Sequence, residues 1–135
     1  MQMSTVRIAG GKASLRVDGE TVFLSGEIDR ASPRDLVASF IEIVHNMALS
    51  ERLAAVRVDV TELLLLHSSA IKEFLSWILR RNRVPREKKY KLHFFFDPAV
   101  TWQATTLAQL RDLDPEGIVL TPTRLPRQIA LQAVR

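Results

Sequence analysis

The sequence predicts an α/β fold: a central mixed β-sheet of about five strands, largely parallel, with helices packed against it. Three observations predict it. Segments of alternating and of helical apolar period follow one another along the chain in the order ββαβαβαβα, and such alternation implies strands joined by helical crossovers. A hairpin signal, Asp18-Gly19, stands at the start of that order. The 135 residues are 47% apolar and 25% charged, the composition of one globular domain able to bury a core without staples.

Ala13 to Val17 reads as the first strand and Thr21 to Ser25 as the second, stopped at Gly26. Ser32-Pro33-Arg34-Asp35 then supplies an N-cap, a proline for the first helical position and an acidic residue where a reciprocal cap belongs. Leu36, Val37, Phe40, Ile41, Val44 and Met47 follow at helical spacing and form one apolar face. Leu53 to Val60 alternates and predicts the third strand, with Leu63 to Leu66 as a wholly apolar segment in the loop beyond it. Core burial or an exposed docking patch would each account for that segment.

After His67-Ser68-Ser69, a second helix is expected from Ile71, Phe74, Leu75, Ile78 and Leu79. Arg80, Arg81 and Arg83 fall at its C-terminal end, where cations complement the helix dipole, and Pro85 stops it. Tyr90 to Phe96 is a strong strand, ended by Asp97-Pro98. A third helix is expected over Val100 to Leu113, with Trp102, Leu107, Leu110 and Leu113 inward and Trp102 open to a second reading as a partner anchor. Ile118 to Leu120 gives a short last strand, and Pro126 opens a C-terminal helix through Ile129, Ala130 and Val134. The chain contains no repeat and no linker, so 1–135 reads as a single domain with its core at about 13–121 and the short helix at about 125–134.

Composition narrows the function. There is no cysteine, which excludes disulfides and thiolate chemistry. No run approaches the ~20 apolar residues of a membrane helix, and the first residues hold no apolar signal core, so a cytoplasmic protein without membrane insertion is expected. The formal charge is +4. Its basic residues gather from Arg80 to Lys91 and again at Arg124, Arg127 and Arg135, without the interleaved aromatic residues of single-strand binders. A solvated helix end or a contact patch for an acidic partner protein fits that run better than nucleic acid.

The chain has no G-x-S-x-G elbow, no G-x-G-x-x-G loop and no P-loop, and His45, His67 and His93 fall on different elements. Neither an enzyme nor a metal or cofactor site is expected. Asp59 reads as a hydrogen-bond acceptor that shapes the chain at a strand end, and Ser68 and Ser69 as candidate N-caps of the second helix.

Three short motifs recur in a definite order: Leu24-Ser25-Gly26-Glu27-Ile28-Asp29, then Val58-Asp59-Val60-Thr61, then Leu66-His67-Ser68-Ser69-Ala70-Ile71. Over about Ala13 to Leu120 this order resembles the STAS family, the domain of anti-sigma-factor antagonists and of sulfate-transporter tails. The chain departs from the family pattern at His67, where the family has aspartate, and at Ala70, where it has glycine.

The resemblance implies a regulatory phosphorylation site at Ser68, with Ser69 as the neighbouring acceptor. It also implies a partner-binding surface around Asp29, Leu66, His67, Ser68 and Lys72. The implied partners are a serine kinase of the anti-sigma-factor type and a phosphatase, with a homodimer possible. A constitutive adaptor or subunit of a membrane transporter complex would use the same surface without the switch. Physical chemistry independently suits a helix N-terminus to a phosphate, because unpaired N–H groups and the positive dipole end lie there.

Overall fold

The computed structural model describes residues 4–7, 13–28 and 34–123, with side chains described for 13–28 and 37–123. Strand β1 (Ser4–Arg7) pairs antiparallel with β2 (Ala13–Asp18), which pairs antiparallel with β3 (Thr21–Ile28). Helix α1 (Arg34–Ser50) leads to β4 (Ala55–Leu66), α2 (Ser68–Asn82) to β5 (Lys91–Phe96), and α3 (Thr101–Arg111) to β6 (Ile118–Pro122). The six strands lie in sequence order, and the pairs from β3 to β6 are parallel.

The mixed sheet and its packed helices follow the expected pattern, with one strand more. Strand β1 precedes the expected five: four residues without apolar alternation give no strand signal of their own and gain a partner only once β2 exists. Among the boundaries that move, two move by three residues or more. Strand β3 continues through Gly26 to Ile28, and the Leu63 to Leu66 segment is strand rather than loop. Ser32, Pro33 and the expected C-terminal helix from Pro126 lie outside the described residues.

Each of α1, α2 and α3 joins adjacent parallel strands advancing in one direction. Right-handed crossovers therefore place all three on the same face of the sheet. The burial pattern agrees. Leu15, Val17, Val22, Leu24, Val56, Val58, Leu92, Phe94 and Ile118 point into one core with Val37, Phe40, Val44, Phe74, Ile78, Leu107 and Leu110. The opposite face carries Arg16, Phe23, Asp59 and Phe95 in register across β2 to β5. There the Arg16 guanidinium lies 4.3 Å from the centre of the Phe23 ring, a cation–π contact.

Local chemistry sets the turns. The β2–β3 hairpin has a two-residue loop with Gly19 at φ 65, a left-handed position that favours glycine. Helix α1 ends in a Schellman motif: Leu53 N–H donates to Ala48 O (3.0 Å) and Arg52 N–H to Leu49 O (3.3 Å). Arg52 takes the left-handed position of that motif at φ 54, where glycine is usual.

Helix α2 buries Ala70, Phe74, Trp77, Ile78 and Arg81, a single stripe. Two side chains reverse the expectation. Leu79, expected inward, is exposed, and Arg81, expected on a solvated helix end, is only 2% exposed. Its guanidinium donates to Asp114 Oδ2 (2.7 Å), to Asn82 Oδ1 (2.6 Å) and, through Nε, to Tyr90 O (2.5 Å). That hydrogen bond holds the Asp114 carboxyl below its ordinary pKa. Gly117 leaves room for the pair, since a Cβ there would sit 2.1 Å from an Arg81 nitrogen. In α3, Leu113 lies beyond the last turn and is exposed, while Leu107 and Leu110 are buried as expected.

A buried polar chain ties α1 and α2 to the start of β5. Trp77 Nε1 donates to the Tyr90 hydroxyl (2.7 Å), which lies 2.6 Å from His45 Nδ1. Burial pushes the Tyr90 phenol up to about 12 and His45 below its ordinary value, with Arg80 acting on His45 in the same direction. Both are therefore neutral near pH 7, and the phenol donates to the ring.

Candidate functional site

The candidate site is the far end of β4 and the start of α2. Along β3 the register advances by two extra residues on β4. Phe23 faces Asp59 while Ser25 faces Glu62, and Gly26 faces Leu63 while Glu27 faces Leu65. Each step is a β-bulge, which shifts which side chains face the core. At the first, Val60 and Thr61 are both buried; at the second, Leu64 and Leu65 are both exposed, at 49% and 45%. Asp59 shapes the first bulge as the expected acceptor, with Oδ1 taking the Thr61 amide (2.9 Å) and hydroxyl (2.6 Å). Gly26, at φ 89, gives β3 the backbone freedom it needs beside the second.

Strand β4 also outruns β5, whose pairing ends at Asp59↔Phe95. The carbonyls beyond that point are taken by the first turn of α3. Gln103 Nε2 donates to Val60 O (2.6 Å) and Leu63 O (2.9 Å), and Gln103 Oε1 accepts from the Asp97 amide (2.7 Å). Trp102 Nε1 donates to Leu63 O (3.1 Å) and Leu64 O (3.0 Å). Trp102 is half-buried and packs against the core, so its indole clamps the β4 overhang from the side. Gln103 was not legible as a structural residue. Its signal, one amide among the inward positions of a weakly amphipathic helix, has meaning only once the bulged strand lies beside it.

His67 makes the bridge from β4 to α2. Its amide donates to Ile28 O (2.6 Å), and its carbonyl accepts from the Ala70 and Ile71 amides. With φ −62 and ψ 147 it is the N-cap of α2. The ring does the capping: Nδ1 accepts from the Ser69 amide (3.1 Å) and lies 2.9 Å from the Ser69 hydroxyl. The serines are therefore not the cap. Ser68 is the first helical residue, exposed, with no side-chain hydrogen bond among the described residues, while Ser69 is half-buried against His67.

The first turn of α2 contains no acidic residue, so nothing there offsets the positive end of the dipole. Lys72 is exposed four residues after Ser68, on the same side of the helix. Leu66 is half-buried and packs against the core, presenting only part of its side chain outward. Asp29 lies outside the described residues. The structure thus brings Leu66, His67, Ser68, Ser69 and Lys72 to one end of the sheet and adds the exposed pair Leu64 and Leu65.

The other two histidines are engaged elsewhere, His45 with Tyr90 and His93 with Thr121 Oγ1 (2.6 Å). Among the described residues no group of three or more His, Asp or Glu side chains is placed to hold a metal ion, and no helix is long and apolar enough to cross a membrane. Compared with protein-family models the chain matches none, and no curated protein matches it.

Proposed function

We propose that this protein is a regulatory protein-binding domain, STAS-like in mode of action, whose partner docks on the β4–α2 end and is released by phosphorylation of Ser68. The observation that carries the reading is the free, exposed Ser68 hydroxyl on an uncompensated helix N-terminus, beside the exposed Leu64 and Leu65. The two leucines supply apolar contact area to a partner. A phosphate on Ser68 adds roughly 1.5 to 2 negative charges, which the α2 dipole and Lys72 stabilise, so the fold survives while the surface changes sign. A partner fitted to the uncharged surface is then repelled, a switch made by local electrostatics. The partners in this reading are a serine kinase and an opposing phosphatase, the setting is the cytoplasm, and the domain itself catalyses nothing.

One observation favours the constitutive adaptor as a second reading. His67 already occupies the Ser69 amide, so a phosphate on Ser69 would have to displace the ring. Pull-down from the native host with wild-type protein, Ser68→Ala and Ser68→Asp, read by mass spectrometry for partners and phosphosites, separates the two. A partner lost only with Ser68→Asp, together with phosphate on Ser68 in the wild type, supports the switch. A partner retained by all three supports the adaptor.

A further inference from the structure

At the opposite end of β4, about 35 Å along the strand from Ser68, a groove runs under the C-terminus of α1. One part of it is a cavity of about 520 Å³ between the α1 turn and the segment entering β5. Leu49, Leu53 and Ala54 are its apolar lining, and Arg52, Lys88, Lys89 and Lys91 line it against one acid, Glu87. A second hollow of about 570 Å³ shares Leu49, Arg52 and Lys88 and extends the groove past Val84 and Pro85.

Arg81 does not contribute to this charge, being buried against Asp114. None of the four lining cations makes a salt bridge or side-chain hydrogen bond among the described residues. Four cations beside an apolar lining, of which Lys89 also feels the Asp114 carboxylate, form a positive field focused in a concavity. Arg52 adds an independent point. It holds a left-handed backbone that glycine would adopt without strain, at the rim shared by both hollows.

We propose that this groove is a docking site for an acidic peptide segment of a partner protein, one in which carboxylates flank an apolar side chain. The carboxylates match the four cations, and the apolar side chain matches the lining of Leu49 and Leu53. Nucleic acid matches less of it. No aromatic residue lines the groove to stack a base, and an apolar lining offers nothing to a phosphate–sugar backbone. The site goes beyond the Ser68 switch and is separable from it.

The test is an NMR titration of isotope-labelled protein with a synthetic peptide in which Asp and Glu flank a central Leu-Phe pair, alongside single- and double-stranded oligonucleotides. Expected are amide shifts confined to residues 49–54 and 84–91, with binding that weakens steeply as salt screens the charges. Replacing the Leu-Phe pair by Ser-Ser weakens binding, and Lys88→Glu with Lys91→Glu weakens it at least about tenfold.

Arg52→Gly guards against a folding artefact. It removes a lining cation and relieves the left-handed strain, so it is expected to weaken the peptide while raising Tm. Ser68→Asp is expected to leave the titration unchanged. Shifts outside the groove, binding indifferent to charge reversal and to Arg52→Gly, or an oligonucleotide bound more tightly than the peptide would overturn the proposal.

Discussion

The two halves of β4 obey different rules. From Ala55 to Asp59 the strand is paired to β5, and from Arg57 to Asp59 to β3 as well, and its side chains alternate strictly between core and outer face. From Val60 to Leu66 it is paired to β3 alone, interrupted twice by bulges, and held on its free side by two side chains of α3. The regular half anchors the core, whereas the irregular half turns two leucines outward and delivers His67 and Ser68 to the surface. Bulges concentrate where a fold re-aims side chains, and here they mark the candidate docking end.

If α3 sustains the irregular half, Gln103→Leu breaks it. Gln103 is fully buried and satisfies the Val60 and Leu63 carbonyls and the Asp97 amide at once. The expected loss is about 3–5 kcal/mol, from buried polar groups left without partners. Urea denaturation measures it, and hydrogen exchange should show protection lost over 60–66 before 55–59.

The regular half depends instead on the buried chain at the base of β5. Tyr90→Phe keeps the ring and leaves Trp77 Nε1 and His45 Nδ1 without the hydroxyl between them, at an expected cost of about 2–3 kcal/mol. The same chain makes stability depend on pH. Burial, aided by Arg80, depresses the folded pKa of His45, so the unfolded chain binds that proton at higher pH than the folded protein does. Stability is complete above the ordinary value of 6.5 and declines as pH falls below it toward the depressed folded value. His93, lowered by burial and Arg57, acts in the same direction. Thermal melts from pH 8 to pH 5 should show the decline, and His45→Gln should reduce it to the share that His93 carries.

Gly26→Ala probes the bulge from the β3 side. At φ 89 a side chain is strained whatever space surrounds it, with an expected cost of about 1–2 kcal/mol. A smaller loss would mean that β3 relaxes around the bulge, in which case exchange protection at Leu64 and Leu65 should fall.

The same contrast governs what the sequence made legible. Val56 and Val58 alternate with Arg57 and Asp59 because the ladder is regular there, one face toward the helices and one outward, so the pattern reads as a strand without further knowledge. In Leu63 to Leu66 four identical side chains carry no period. Which of them face the core is decided by bulges whose position depends on Gly26 of another strand. Arg81 and Leu79 were misplaced for a related reason. A helix end rich in arginine reads as solvated until Asp114, thirty-three residues on, folds back to pair with one of them. Around Ser68 the position at the start of a helix was legible, but the cap was not. Histidine is an uncommon N-cap, and Ser69 must bend its amide toward the ring before His67 can act as one.

That assignment gives the smallest expected effect and the clearest test of the candidate site. His67→Ala removes the side chain that caps α2 and leaves the Ser69 amide to water, at an expected cost of about 0.5–1 kcal/mol. Ser68→Ala, at an exposed position without a side-chain hydrogen bond, is expected to change stability by less than about 0.5 kcal/mol. Were Ser68 the cap, the order would reverse. With His67 as the cap, the Ser68 hydroxyl contributes little to folding, so Ser68 variants test the proposed switch without a stability artefact. Urea midpoints of the two alanine variants, measured side by side, decide which residue the fold depends on.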